Sequence, residues 1–206
     1  MTRFEQVRQH FDQRAAHYDN PVTAFIGERE LRLIRKRVPA GSTVLDYGCG
    51  TGRTTLDLLQ RGCKVTAFDI SQEMIGLAER RTRLLGYSAE FTTSAGQLAD
   101  RVWPLVTCIG VLDYYADPHP LLEHLASYMA PGGRLVVTYP NALSPLGWLY
   151  ALGSRFRLRV IPHTPRFARQ ASLRCGLRCI HLEYAFPAIP LLGHTLVIEM
   201  ARQREV

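Results

Sequence analysis

The sequence predicts a single α/β domain with a mainly parallel sheet, and three observations carry the prediction. From residue 43 onward, short apolar runs alternate with stretches of helical length, which is the pattern of consecutive β-α-β units. The length of 206 residues suits one domain, and 47% hydrophobic residues are enough to bury a core. With 21% charged residues and no low-complexity tract, the composition excludes disordered, collagen-like and repeat proteins.

The chain opens with a predicted pair of helices over residues 4–38. Phe4, Val7 and Phe11 recur at helical spacing, and a break near Asp19-Asn20-Pro21 separates them from a second apolar stretch. We therefore expect residues 1–40 to form an N-terminal helical cap.

Seven strand-like runs and four further helices follow. Thr164 and Pro165 form a good N-cap and first-turn pair for the last helix, and Gly176 suits the position after its end. The chain is thereby divided into a core, a cap insertion with its helix, and a final strand pair, at 43–140, 141–176 and 177–202. The predicted strands are 43–46, 64–68, 89–93, 105–109, 134–138, 177–184 and 195–200, and the predicted helices are 53–59, 72–85, 120–129 and 165–175.

The first predicted strand runs directly into a glycine-rich turn, Val44-Leu45-Asp46-Tyr47-Gly48-Cys49-Gly50-Thr51-Gly52. Residues without a Cβ let a ligand lie against the main chain, and the following helix offers free N–H groups. The glycine spacing is G-x-G-x-G rather than the dinucleotide pattern G-x-G-x-x-G. The Asp46 carboxylate would oppose a pyrophosphate but suit an ammonium and a sulfonium, so the turn favours S-adenosylmethionine. Asp69, which ends the second strand, is correctly placed to accept hydrogen bonds from both ribose hydroxyls.

These segments resemble the class I S-adenosylmethionine-dependent methyltransferases over roughly residues 10–140. The glycine turn, the run 67–74, the run Gly110-Val111-Leu112-Asp113-Tyr114 and the stretch 125–137 with its Pro131-Gly132-Gly133 turn carry the resemblance. It implies a Rossmann-like, doubly wound sheet of seven strands, mostly parallel with an antiparallel last strand. It also implies N-terminal helices, a cap inserted after the fifth strand, and S-adenosylmethionine as the methyl donor with S-adenosylhomocysteine as product.

The same resemblance implies which residues hold the cofactor. The glycine turn would line its methionine and adenosine parts, Asp69 would hold the ribose, and residues after the second and fourth strands would flank the adenine and the methionine. Many members carry an acidic residue near the adenine amino group, where this chain has Ser94, which could accept a hydrogen bond. The implied cofactor residues are Tyr18, Asp46, Gly48, Cys49, Gly50, Gly52, Asp69, Ile70, Met74, Ser94, Ala95, Ile109 and Gly110.

The distribution of charge and the sequence of the cap insertion indicate the kind of acceptor. The net charge of +7 divides into +3 for residues 1–43, −2 for 44–140 and +6 for 141–206, so the excess lies on the flanks of the core. Residues 145–160 are apolar in their first half and alternate Arg with an apolar residue in their second. This pattern suits a hydrophobic acceptor with an anionic end, or contact with an anionic membrane surface. A cap packed on its own sheet with solvated arginines fits the pattern equally well.

Catalysis of methyl transfer mainly requires alignment, and a base only when the acceptor is a phenol. The candidate bases are His119, in Asp117-Pro118-His119-Pro120, followed by His163 and His17, and Tyr114 is a further catalytic candidate. We find no pair of side chains at metal-ligand spacing and expect no metal. Cys175 and Cys179 stand four residues apart, and we interpret them as buried, reduced thiols rather than an arsenic or metal site.

The sequence thus predicts an S-adenosylmethionine-dependent methyltransferase that acts on an oxygen of a hydrophobic, anionic small molecule. Residues 138–156 loosely resemble magnesium-protoporphyrin O-methyltransferases, and quinone-pathway and natural-product O-methyltransferases resemble the chain comparably. Scattered cysteines and the lack of a signal-peptide pattern predict a cytoplasmic protein, with membrane contact confined to the periphery. C- or N-methylation, RNA methylation and a non-catalytic cofactor-binding role stay open, although nucleic acid is disfavoured because the nucleobase motif Asn/Asp-Pro-Pro-aromatic is missing after the fourth strand.

Overall fold

A seven-stranded sheet forms the centre of the computed structural model, which describes residues 3–15, 18, 21–154, 159–185 and 191–203. The strands lie in the order β3-β2-β1-β4-β5-β7-β6, and β7 runs antiparallel to both of its neighbours while the other pairs are parallel. This confirms the predicted fold class. The strands are β1 (Thr43–Tyr47), β2 (Lys64–Phe68), β3 (Glu90–Thr92), β4 (Trp103–Cys108), β5 (Met129–Pro140), β6 (Leu177–Ala185) and β7 (Thr195–Arg202).

The strand order reverses between β1 and β4, and this reversal places the site. In an open parallel sheet, the crevice beyond the carboxyl ends of the strands at the reversal is where ligands bind. The glycine turn follows β1, Asp69 follows β2, and the segment from Ile109 follows β4, so the sheet brings all three to one edge.

The described helices surround this sheet. The ends of the helices that the sequence predicted lie within two residues of the predicted positions. For the last helix, the Thr164 hydroxyl accepts a hydrogen bond from the Phe167 N–H at 3.1 Å, and Gly176 has φ of +67° just beyond its end. The helices are α1 (Arg3–Arg14), α2 (Pro21–Arg37), α3 (Arg53–Gln60), α4 (Gln72–Leu84), α5 (His119–Ser127), α6 (Pro145–Ser154) and α7 (Pro165–Arg174).

Three elements differ from prediction. The fifth strand begins at Met129 instead of residue 134, because Pro131, Gly132 and Gly133 lie within it at an irregularity opposite Trp103 and Leu105. The helix before it consequently ends at Ser127. Helix α6 was not predicted as a helix, since its sequence is apolar on every side and therefore shows no helical periodicity.

The core lies on both faces of the sheet. Successive residues of one strand point to opposite faces of the sheet. Val44 therefore packs in one buried cluster with Leu58 and Leu105, while Leu45 packs in another with Val106 and Leu125. Both Val44 and Leu45 are fully buried. Burying a side chain of this size contributes about 1.5–3 kcal/mol to the stability of the fold. The burial of β1 therefore holds the glycine turn that follows it at the edge of the sheet.

Candidate active site

The glycine turn leaves β1 with its main chain held by β2. The N–H groups of Gly48 and Cys49 both donate to the Phe68 carbonyl, at 2.7 and 2.9 Å. Gly48 has φ of +76°, and a Cβ there would lie 2.2 Å from a methyl of Val111. The turn therefore requires glycine at this position for its backbone conformation and for its close approach to the segment after β4.

Asp69 lies at the carboxyl end of β2 and is tied to the turn. One carboxylate oxygen accepts a hydrogen bond from the Gly50 N–H at 2.8 Å, and the other accepts from the Ser71 N–H at 2.9 Å. Burial raises the pKa of Asp69 above its ordinary value, while the backbone donors oppose that shift. Because a carboxylate has about four acceptor positions, Asp69 retains acceptor capacity beyond these backbone donors.

A cavity of about 290 Å³ opens over this edge of the sheet. Its floor is the glycine turn with Asp69, and its far wall is the segment after β4. Helix α1 covers it with Val7 and Phe11, and Asp12 of the same helix accepts a hydrogen bond from the Ser71 hydroxyl at 2.5 Å. The cavity is thus enclosed by elements that are far apart in sequence.

Eight of the predicted cofactor residues line this cavity together. They come from the segment before α2, from the glycine turn, from the residues that follow β2 and β4, and from the first turn of α4. They are Tyr18, Gly48, Gly50, Asp69, Ile70, Met74, Ile109 and Gly110.

The structure places the other predicted cofactor residues away from the cavity surface. Asp46 is buried beneath the turn, where its carboxylate accepts hydrogen bonds from the hydroxyls of Thr55 at 2.6 Å and Thr107 at 2.9 Å. Burial raises the pKa of Asp46 to about 6. It braces the turn against α3 and β4 instead of contacting the space above.

The other four predicted cofactor residues also do not line this cavity. Cys49 is buried with its thiol towards the Gly50 carbonyl at 3.7 Å. Gly52 packs on α4, where a Cβ would lie 2.8 Å from that of Ala78. Ser94 and Ala95 are exposed at the start of a short 3₁₀ helix, Ala95–Leu98.

Of the three catalytic candidates among the described residues, Tyr114 lines the cavity and the two histidines do not. His119 lies at the start of α5, half-buried, with its imidazole 3.7 Å from the Glu123 carboxylate. His163 is buried behind Tyr115, whose carbonyl accepts a hydrogen bond from its Nε2 at 2.9 Å, and its ring stacks on Phe167. Burial lowers the pKa of His163, so its ring is held neutral. His17 lies outside the described residues.

Several cavity residues were missed by the sequence interpretation. Tyr47 and Phe68, which end β1 and β2, stack with ring centroids 4.7 Å apart and contribute to the wall. A rule that considers the last residue of each parallel strand would have found them. Phe11 was recognised only as a helix position, because no local signal shows which helix face covers a distant sheet edge.

A buried group of acidic and tyrosine side chains adjoins the Tyr114 wall. Asp113 is 7% exposed, and burial raises its pKa to about 8, with the nearby Glu30 charge acting in the same direction. The Tyr150 hydroxyl hydrogen-bonds with both the Asp113 carboxyl and the Tyr114 hydroxyl, which opposes the rise in the pKa of each. Burial raises the pKa of Tyr18 to about 12, so this ring keeps its proton at neutral pH.

The cap that carries Tyr150 is anchored at the end of β5. The Trp148 indole N–H donates to the Ala142 carbonyl at 2.9 Å, and the Ser144 hydroxyl donates to the Leu192 carbonyl at 2.7 Å. Gly147 packs so closely on the Asn141 carbonyl that a Cβ there would lie 2.2 Å from its oxygen. The first half of the predicted insertion is thus a fixed helix, and residues 155–158 of its second half lie outside the described residues.

The outward side of α6 is apolar. Trp148, Leu149 and Leu152 are each more than half exposed, and Arg159 beyond the helix is exposed as well. None of the helices in the described part of the chain is long and apolar enough to cross a membrane.

The two C-terminal cysteines take part in local contacts. The Cys175 thiol donates to the carbonyls of Ala171 at 3.3 Å and His119 at 3.6 Å, and the Cys179 thiol donates to the His181 carbonyl at 3.5 Å. Both are free thiols, but both are partly exposed instead of buried as predicted, because they lie at the end of α7 and on the edge strand β6. The described residues contain no group of three or more His, Cys, Asp or Glu that could hold a metal ion.

Known proteins are similar to this chain both in sequence and in fold. A ubiquinone biosynthesis O-methyltransferase of Xylella fastidiosa is 32% identical over 185 residues, covering 84% of this chain and 72% of the relative. One from Xanthomonas axonopodis pv. citri is 28% identical over 175 residues, covering 81% and 70%.

Solved structures agree in fold. The magnesium protoporphyrin IX methyltransferase of Synechocystis PCC 6803, with bound S-adenosylhomocysteine, superposes with a TM-score of 0.73 at 23% identity, covering 96% of this chain and 98% of that one. The DhpI complex with S-adenosylhomocysteine gives 0.74 at 21% identity, covering 98% of each chain.

The family model described as a methyltransferase domain matches residues 14–182, which span the glycine turn, Asp69 and the cap. The predicted family is thereby confirmed, and the chain belongs to the class I S-adenosylmethionine-dependent methyltransferases.

Proposed function

We propose that the chain moves a methyl group from S-adenosylmethionine to the oxygen of a hydrophobic, ring-bearing small molecule. The observation that carries the proposal is a single cavity with two unlike ends, the glycine turn with Asp69 at one and a group of aromatic rings at the other. In this proposal the predicted N-terminal cap at 1–40 contributes Phe11 and Tyr18 to the acceptor end, and the core at 43–140 contributes the cofactor end together with Tyr114 and Tyr115. The insertion at 141–176 adjoins the acceptor end through Tyr150.

The residues at the first end fit S-adenosylmethionine. A Cβ at Gly50 would meet no atom within 4 Å, so a ligand has room against the main chain there. Asp69 retains acceptor capacity for the ribose hydroxyls, Ile70 and Met74 supply apolar surface for the adenine, and Gly110 lies beside the methionine part. The cofactor supplies an electrophilic methyl group on a sulfonium, which leaves as a neutral thioether.

The residues at the second end fit an aromatic acceptor. Phe11 meets Tyr114 and Tyr18 edge to face, with ring centroids 5.6 and 6.1 Å apart, and Tyr115 completes the wall. Such a set of rings favours a flat acceptor ring.

The relatives support a phenolic acceptor. The two described above are named for ubiquinone biosynthesis and for O-methylation. A quinone precursor is an aromatic ring that bears hydroxyl groups, which is the kind of molecule that the aromatic end of the cavity favours.

We further propose that residues 145–160 contact a membrane surface from one side, in a protein that works in the cytoplasm. The exposed apolar side of α6, with Arg159 beside it, suits insertion among lipid head groups. The excess of six positive charges in residues 141–206 suits anionic lipid. A hydrophobic acceptor dissolved in lipid would then reach the cap directly.

Calorimetric titration with S-adenosylmethionine tests the cofactor assignment. Asp69→Asn removes the charge but keeps the shape, and we expect the Kd to rise about 10- to 150-fold, since hydrogen bonds to a charged group contribute about 1.5–3 kcal/mol. Asp100→Asn, on an exposed turn, is the matched control and should bind as the original chain does. Absence of binding to the unmodified chain, or equal Kd values for Asp69→Asn and the control, would overturn the assignment.

A further inference from the structure

We propose that Asp113 receives the proton of the acceptor hydroxyl during methyl transfer, through the hydroxyls of Tyr114 and Tyr150. The inference rests on the proposed function, because only a phenolic acceptor has such a proton to lose. Asp113 acts through other side chains and is therefore a positioning residue.

The geometry connects the cavity to a buried carboxyl. Tyr114 lines the acceptor end, and its hydroxyl is hydrogen-bonded with the Tyr150 hydroxyl, which also hydrogen-bonds the Asp113 carboxyl. The Tyr150 side chain is 41% exposed on α6, and burial raises the pKa of its hydroxyl above the ordinary value. The main chain of Asp113 is held by the second half of the insertion, since its carbonyl accepts a hydrogen bond from the Ile161 N–H at 2.7 Å.

The burial of the Asp113 carboxyl calls for a physical explanation. Asp113 lies within the segment after β4 and is buried without a described ion pair to a Lys, Arg or His, and a charge in such a place is costly. A leucine or asparagine would pack a structural turn at lower cost. The buried carboxyl is explained if its charge is used only when the cationic donor and the acceptor are bound.

The charges around Asp113 set the direction of its response. Glu30 and burial favour its protonated form, whereas an opposite charge nearby favours the ionised form. A bound sulfonium is such a charge, so donor binding lowers the pKa of Asp113 and prepares it as an acceptor of protons. The groups that face this cluster are Glu30 from α2, Tyr150 from α6, Cys108 from β4, Tyr18 and Tyr114 from the cavity wall, Arg53 from α3 towards Tyr18, and Arg14 from α1 towards Tyr114.

Methyl transfer forms one bond, breaks one bond and moves one proton to Asp113. The acceptor oxygen forms a bond to the methyl carbon, and the carbon–sulfur bond breaks with its electron pair retained by sulfur. The acceptor proton passes to the Tyr114 hydroxyl, the Tyr114 proton passes to Tyr150, and the Tyr150 proton passes to the Asp113 carboxylate. Asp113 ends as the neutral acid and returns its proton to solvent after product release.

The test compares two acceptors that differ in their need for a base. At pH 8, 4-methylphenol keeps its proton, whereas 4-nitrophenol is largely ionised already. Transfer of a labelled methyl group is measured for the unmodified chain, for Asp113→Asn and for Asp117→Asn, an exposed carboxyl four residues away. We expect Asp113→Asn to lose about 10²- to 10⁴-fold on 4-methylphenol, the range of general-base catalysis, and to keep its rate on 4-nitrophenol. Asp117→Asn should resemble the unmodified chain on both.

The outcomes separate the inference from the function on which it rests. Equal losses by Asp113→Asn on both phenols indicate a structural role and overturn the inference alone. An unmodified chain that binds S-adenosylmethionine but methylates neither phenol overturns the phenolic acceptor and the inference with it. The pH profile is a second readout: the rate on 4-methylphenol should rise with pH as Asp113 ionises, and this rise should disappear in Asp113→Asn.

Tyr150→Phe keeps the test decisive if Asp113→Asn does not fold. This variant retains the ring on α6 and removes only the hydroxyl that joins Tyr114 to Asp113. We expect the same selective loss on 4-methylphenol. Full activity of Tyr150→Phe on that acceptor would show that no proton passes through this hydroxyl.

Discussion

The two ends of the cavity are formed by different kinds of groups, mainly main-chain groups at one end and side chains at the other. The cofactor end is built around main chain and one carboxylate at adjacent strand ends, joined by short hydrogen bonds such as that from the Gly50 N–H to Asp69, with Ile70 and Met74 beside them. The acceptor end consists of side chains from α1, from the segment before α2 and from the segment after β4. The first end is fixed by the sheet, and the second is set by residues that substitution can change without altering the fold.

The comparison predicts that the largest effect comes from changing the main chain of the cofactor end. Gly48→Ala adds a methyl that would lie 2.2 Å from Val111, at φ of +76°. We expect loss of S-adenosylmethionine binding by about 10²-fold, since a displacement of about 1 Å at a site can have such an effect. Calorimetry measures the loss.

The control for Gly48→Ala separates crowding from backbone strain. Gly62 has φ of +74°, but a Cβ there would meet no atom within 4 Å. Gly62→Ala should therefore lose about 1–2 kcal/mol of unfolding free energy from the left-handed conformation and keep its affinity for the cofactor. If Gly48→Ala binds as tightly as Gly62→Ala, the turn does not define the cofactor end.

A smaller and more selective effect is expected at the acceptor end. Phe11→Ala removes a ring that meets Tyr114 and Tyr18, and we expect the KM for a phenolic acceptor to rise about 10-fold or more, because burying a ring of this size contributes about 1.5–3 kcal/mol. The Kd for S-adenosylmethionine should change little. Gln9→Ala, on an exposed position of the same helix, is the control. A loss of cofactor affinity as large as the loss for the acceptor would mean that the two ends are not distinct.

The same division explains what the sequence could reveal. Asp69 and Gly48 were predictable because a strand, a turn and a helix follow one another within a few residues, and parallel strands bring their carboxyl ends together. His119 was the first candidate base because it comes just past the fourth strand, but it begins α5 and does not line the cavity. Tyr114, five residues earlier, faces the cavity, and the sequence alone could not determine this orientation.

Long-range contacts were outside the reach of local patterns. Asp113 and Tyr150 are 37 positions apart and meet only because α6 folds back over the segment after β4. Helix α6 itself lacks polar positions that would give it a period, so neither its helical form nor the side that faces the protein could be predicted. The fold class, by contrast, was predictable because its signal repeats along the whole chain.

The smallest expected effect concerns the outer surface of the acceptor end. Leu149 is 66% exposed on α6, whereas Leu84 is 85% exposed at the end of α4, close in sequence to the cofactor end. If α6 rests on lipid, Leu149→Glu should lower the fraction of protein that sediments with phosphatidylglycerol-containing vesicles several-fold, since both apolar contact and attraction to anionic lipid are weakened. Leu84→Glu adds the same charge to an exposed leucine and should sediment as the original chain does. Equal losses for the two variants would indicate that net charge alone governs vesicle binding, and equal retention would mean that the apolar side of α6 makes no contact with lipid. Only a loss confined to Leu149→Glu supports a membrane-facing acceptor end beside a cofactor end that faces away from it.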